Sequence, residues 1–116
     1  MKKILLLFVI LNCMFFSCEK NQVNVTPACI LQRIEQIKKQ PLWNPAAEIN
    51  EYTYNGKTVY LISADCCDRY SQLVDENCNY LCAPSGGITG RGDGKCADFS
   101  EKAKLVRLIW KDDRTK

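Results

Sequence analysis

The chain has 116 residues, 25% charged and 47% hydrophobic, with eight cysteines and no histidine. That length holds one small domain and excludes a nucleotide-binding fold joined to a substrate domain. The missing histidine removes the histidine-based triads and most zinc chemistry, and a formal net charge of +3 falls short of the basic field that nucleic-acid binding needs.

The N-terminus reads as an export signal. Lys2 and Lys3 form a positive start, and Ile4 to Phe16 is apolar apart from Asn12 and Cys13. This run is short for a membrane-spanning helix, which needs about 20 apolar residues, but it suits a signal peptide. Lipoprotein signal peptidase requires a small residue before the modified cysteine. Ser17-Cys18 meets that requirement and Asn12-Cys13 does not. The expectation is therefore a signal peptide over 1–17, lipidation at Cys18 and a polar tether over 18–26. Without Lys2 and Lys3 the charges are 14 basic against 13 acidic.

Thr26-Pro27 looks like an N-cap followed by proline at the first helical position. Ile30, Leu31, Ile34 and Ile37 then recur at helical spacing, opposite Gln32, Arg33, Gln36 and Lys39, until Pro41 ends the run. The spacing predicts a helix over 27–40 with one apolar stripe packed on a sheet.

Residues 48–54 and 57–63 flank Asn55-Gly56, a two-residue hairpin turn. Such a turn pairs Tyr54 with Lys57, Tyr52 with Val59 and Ile49 with Ile62. One face then carries Tyr52, Tyr54, Val59 and Leu61, and the other Ile49, Tyr60 and Ile62. One face is expected on the helix and the other only partly covered. The tyrosines could stack on a glycan, but tyrosine is also simply a favoured strand residue. A second hairpin is expected from 70–75 to 78–82, turning at Glu76-Asn77. Lys104 to Trp110 reads as a final strand before a polar tail. One helix followed by four or five antiparallel strands makes an α+β domain over 27–116.

Loss of the signal and lipidation of Cys18 leave Cys29, Cys66, Cys67, Cys78, Cys82 and Cys96. An even number in an exported chain is read as three disulfides, with fifteen possible connectivities. Cys66 and Cys67 are adjacent, with Cα atoms about 3.8 Å apart, under the usual minimum of about 4.4 Å for a bridge, so a vicinal disulfide is disfavoured. In an extended segment the two would face opposite sides and pair elsewhere. No Cys-x-x-Cys redox motif occurs.

The segment 83–95 between Cys82 and Cys96 holds five of the six glycines, and a Cys82–Cys96 bridge would restrain it. Its glycines do not match a phosphate-binding loop or a dinucleotide fingerprint. Asp75, Asn77 and Asn79 begin like a calcium loop, but Tyr80 stands where the turn glycine belongs. Arg91-Gly92-Asp93 spells an adhesion tripeptide that arises easily by chance. Asp65, Asp68, Asp93 and Asp98 could supply a carboxylate pair, yet acids beside cysteines and glycines commonly form turns. No metal or cofactor is expected. The candidate contact residues are Ile88, Thr89, Arg91 and Asp93.

The stretches NPAAEINEYTYNGKTVYLISADCCD at 44–68, PSGGITGRGDGKCADF at 84–99 and LIWKD at 108–112 carry a resemblance. From Cys29 onward the chain resembles a family of small Bacteroidota lipoproteins classed as a domain of unknown function, and Phe15-x-Ser17-Cys18 looks like their signals. The resemblance implies a shared fold and an envelope location, and it brings no activity or functional residues. The expectation is a non-catalytic binding or structural module, lipid-anchored in the envelope at the outer membrane, with a protein partner and no nucleic acid. The competing reading is an inhibitor of an envelope or host hydrolase, acting through 83–95. An enzyme ranks third.

Overall fold

The computed structural model describes residues 25–116; the expected signal, Cys18 and most of the tether lie outside them. One helix, α1 (Ala28–Lys38), precedes five strands: β1 (Glu48–Tyr54), β2 (Lys57–Ile62), β3 (Gln72–Val74), β4 (Tyr80–Cys82) and β5 (Lys104–Lys111). The strands form one antiparallel sheet in the order β4-β3-β2-β1-β5. A four-residue helix, α2 (Phe99–Lys102), precedes β5.

The Asn55-Gly56 turn sets the expected register, with Ile49 opposite Ile62, Tyr52 opposite Val59 and Tyr54 opposite Lys57. Strand alternation then divides the apolar residues between two cores. Ile49, Tyr60, Ile62 and Val74 pack under Ile30, Ile34 and Ile37 of α1. On the opposite face Val59 and Leu73 meet Cys82, Cys96 and Phe99. Tyr52 and Tyr54 meet the Phe99 ring edge-on, with centroids 5.0 and 5.3 Å away. The two tyrosines thus serve the second core, and the glycan-stacking reading loses its surface.

Three helix expectations are corrected. Pro27 itself is the N-cap, and its carbonyl accepts from the Ile30 and Leu31 amides. Thr26 caps nothing; its hydroxyl accepts from Arg107 Nη2 at 3.1 Å. Leu31 leaves the buried stripe and stays exposed beside β5.

The C-terminal residues are more than a polar tail. Asp112 is buried, and its carboxylate binds the Arg114 guanidinium at 2.7 Å. Arg114 in turn donates to the Lys38 and Gln40 carbonyls at 3.1 and 3.0 Å. These carbonyls lie at and just beyond the end of α1, where helical partners run out and the helix dipole favours a cation. The Arg114 guanidinium holds the Asp112 carboxyl below the ordinary carboxylate range.

Candidate functional site

Two disulfides are present among the described residues. Cys29–Cys78 ties α1 to the β3–β4 turn across 49 residues, and Cys82–Cys96 closes the glycine-rich loop across 14. The third expected bridge is absent: Cys66 and Cys67 are both free thiols. Extended backbone would have turned them to opposite sides, but the segment bends here. Cys67 adopts a left-handed φ of 54°, so strand alternation does not apply.

The loop from Ala83 to Lys95 is densely bonded to itself and to the sheet. The Gly92 amide donates to the Gly86 carbonyl at 3.0 Å, and the Asp93 amide to the Ala83 carbonyl at 3.0 Å. Gly87 donates to the Arg69 carbonyl, and Ser71 and Ser85 bond through both backbone and side chains. Gly86 and Gly92 each have positive φ, and a Cβ on them would stand 2.2 Å from the Arg69 oxygen and 1.9 Å from the Ala83 oxygen. Only glycine allows backbones this close in this conformation. With Cys82–Cys96 at its base, the loop is fastened by backbone bonds and by a covalent closure.

The candidate contact residues separate into two groups. Ile88, Thr89 and Arg91 stand at the exposed tip, and Ile88 is 91% exposed. Asp93 belongs to the frame. It accepts from the Tyr80 hydroxyl at 2.8 Å and from the Lys95 amide at 3.0 Å. The Lys95 amide, with help from Tyr80, holds its carboxyl below the ordinary range. An adhesion tripeptide would have to offer that carboxylate outward, and here it is occupied within the fold. The Tyr80–Asp93 bond was not legible in the sequence, because it joins a strand residue to a loop residue 13 positions away and no local pattern records that pairing.

Asp65, Asp75 and Asp98 have partners too, whereas Asp68 is exposed and makes no side-chain hydrogen bond or ion pair among the described residues. Asp98 accepts from the Tyr54 hydroxyl and pairs with Lys102 at 3.0 Å; the Tyr54 bond comes first in lowering its pKa. Asp65 pairs with Arg69 at 3.1 Å. The carboxylate of Asp75 accepts from the Asn77 and Asn79 amides at 2.9 Å each, closing the β3–β4 turn where a calcium loop had been weighed. Among the described residues no group of three or more His, Cys, Asp or Glu could hold a metal ion.

The surface carries several concavities. A groove of about 760 Å³ runs between α1 and β5, past Leu31, Ile34, Ile109 and Trp110. A smaller cavity of about 300 Å³ lies beside the bend that carries the free cysteines, lined by Arg33, Trp43, Asp65, Arg69 and Tyr70. Arg33 Nε is the one buried side-chain polar atom without a hydrogen-bond partner among the described residues.

No curated protein and no solved structure matches the chain. A family model described as a domain of unknown function, DUF6970, matches residues 35–112, from the second half of α1 through β5 and the buried Asp112. That match takes in the sheet, the free cysteines, the glycine-rich loop and most of the chain, and the protein belongs to the DUF6970 family.

Proposed function

We propose that the protein is a non-catalytic binding module of the bacterial cell envelope, lipid-anchored through Cys18, whose contact surface is the tip Ile88-Thr89-Arg91. The observation that carries this reading is a branched apolar side chain held 91% exposed on a loop fastened by its own backbone bonds and by Cys82–Cys96. A hydrophobe on a mobile loop would lose much of its binding energy to ordering, whereas a preorganised one does not. Rigid scaffolds that display loops are where binding residues concentrate. The envelope placement is supported by the signal layout before Cys18 and by the resemblance to Bacteroidota lipoproteins. An exposed hydrophobe on a fastened loop would also suit an enzyme cleft, which is the hydrolase-inhibitor form of the same reading.

The test uses full-length protein in its native membranes, cross-linked and then purified. Replacing Ile88, Thr89 and Arg91 together with alanine should lower recovery of the cross-linked partner at least tenfold, a loss of about 1.4 kcal/mol or more. Stability should change by less than about 1 kcal/mol, since all three side chains are exposed. Cys18→Ala should leave the protein unlipidated, as read by intact mass. Unchanged recovery with the altered tip would refute the contact surface, and a normal lipid mass on Cys18→Ala would refute the anchor.

A further inference from the structure

We propose that Cys66 and Cys67 form a two-electron thiol–disulfide site, closing on each other as a vicinal disulfide and reopening by exchange with a dithiol. The argument begins with elimination. Cys29 is bonded to Cys78, and Cys82 to Cys96, so four of the six cysteines in the domain have partners. Those bonds need an oxidant during maturation, and the same oxidant meets two exposed or half-exposed thiols on one bend. Within the domain, each has only the other left to pair with.

Local geometry keeps the two together. The Asp65 carboxylate accepts from the Cys66 amide at 2.9 Å and pairs with Arg69 at 3.1 Å. The Arg69 amide donates to the Cys66 carbonyl at 3.2 Å. Between these ties Cys67 is held at φ 54°, a region that residues with a Cβ rarely occupy unless their surroundings fix them there. The neighbouring Cys67 thiol raises the Cys66 pKa, with burial adding to it. Cys67 is the exposed member and the first point of attack.

The chemistry balances with a disulfide donor, either a protein disulfide oxidoreductase or a low-molecular-weight disulfide. Cys67 loses its proton and its sulfur bonds to one donor sulfur, while the other donor sulfur leaves as a thiol. Cys66 then loses its proton, its sulfur bonds to that of Cys67, and the remaining donor sulfur leaves as a second thiol. Two electrons and two protons pass from the pair to the donor. A dithiol reverses the sequence and is itself oxidised to a disulfide. The Cα separation across one trans peptide, about 3.8 Å, is below the usual range for disulfides, so the ring is strained and more easily reduced than an ordinary bridge. Strained, exposed disulfides are the labile and exchangeable ones.

Position gives this exchange a structural reach. Two residues beyond Cys67, the Arg69 carbonyl accepts from the Gly87 amide at 3.2 Å, next to Ile88 at the tip. The redox pair therefore shares a short segment with a strut of the protruding loop.

The test reads full-length protein purified from its own membranes with free thiols trapped by N-ethylmaleimide. Trypsin releases residues 58–69 as one peptide that contains Cys66 and Cys67 and no other cysteine. The expected peptide is unlabelled and about 2 Da lighter than its reduced form, from the loss of two hydrogens. On titration with dithiothreitol, this peptide should gain two labels at a concentration at least tenfold lower than the Cys29, Cys78, Cys82 and Cys96 peptides. Two maleimide labels without reductant would overturn the proposal, as would a covalent link from 58–69 to any other cysteine peptide or to a second copy. Opening only together with the other two bridges would overturn the exchange role. The lipid on Cys18 is read in the same spectra, so failure of the anchor is seen separately from failure of this site.

Discussion

Replacing Cys29 and Cys78 together with alanine should destabilise the domain by about 4 kcal/mol. The bridge spans 49 residues, and closing a ring of that size in the unfolded chain removes about that much free energy on the chain-entropy account. Small domains have about 5–15 kcal/mol in total, so the loss takes a large share. The structure adds a reason for the size of the effect: α1 lies across the sheet through Ile30, Ile34 and Ile37, and this bridge is its one covalent tie to the far hairpin. Removing Cys82 and Cys96 instead should cost about 3 kcal/mol, because the ring is shorter. Urea denaturation of the two double variants gives the ranking. A smaller loss for Cys29 and Cys78 than for Cys82 and Cys96 would contradict it.

Arg107→Ala should destabilise the domain by about 2 kcal/mol, between the cost of losing a surface pair and that of breaking a fully buried one, because Glu51 is enclosed while Arg107 is about a third exposed. Glu51 lies mid-strand in β1, its side chain only 9% exposed, and its carboxylate receives Arg107 Nε at 2.6 Å. The same guanidinium donates to Thr26 just before α1. Without it a carboxylate stays enclosed beside Tyr60 with no cation. Arg107→Met replaces the side chain without the charge and should be equally harmful. Restoration by Met would show that packing of the stem, not the pair, is what matters. For a domain of this size the alanine variant should melt roughly 10 °C lower.

How much of this was legible before the structure depends on sequence distance. The Asn55-Gly56 hairpin was, because a two-residue turn and period-two alternation together leave one register. The allocation of Ile49, Tyr60 and Ile62 to one face and Tyr52, Tyr54 and Val59 to the other followed from that register. Cys82–Cys96 was legible because the glycines between them call for a closure. By contrast, Glu51–Arg107 lies 56 residues apart and Arg114 reaches carbonyls 74 to 77 residues away. No local pattern records such pairings. The four-residue α2 is too short for any periodicity, yet it delivers Phe99 to the second core. At the loop, the glycines marked a segment for a bridge to restrain, but the backbones they approach, those of Arg69 and Ala83, depend on the folded sheet. For the same reason the bond from Tyr80 to Asp93 could not be read from the loop's own residues.

A rigid frame beneath an exposed tip is the central claim, and native-state hydrogen exchange tests it most directly. The amides of Gly90, Gly92 and Asp93 donate to the carbonyls of Gly87, Gly86 and Ala83. In the bridged protein these amides should exchange at least about 100-fold more slowly than in an unstructured peptide, as amides in locally stable structure do. In the Cys82→Ala/Cys96→Ala variant the same three should lose protection before those of β1 and β2. Unprotected exchange at Gly92 and Asp93 in the bridged protein would mean that the loop is not a frame, and the tip would no longer stand as a preorganised contact surface.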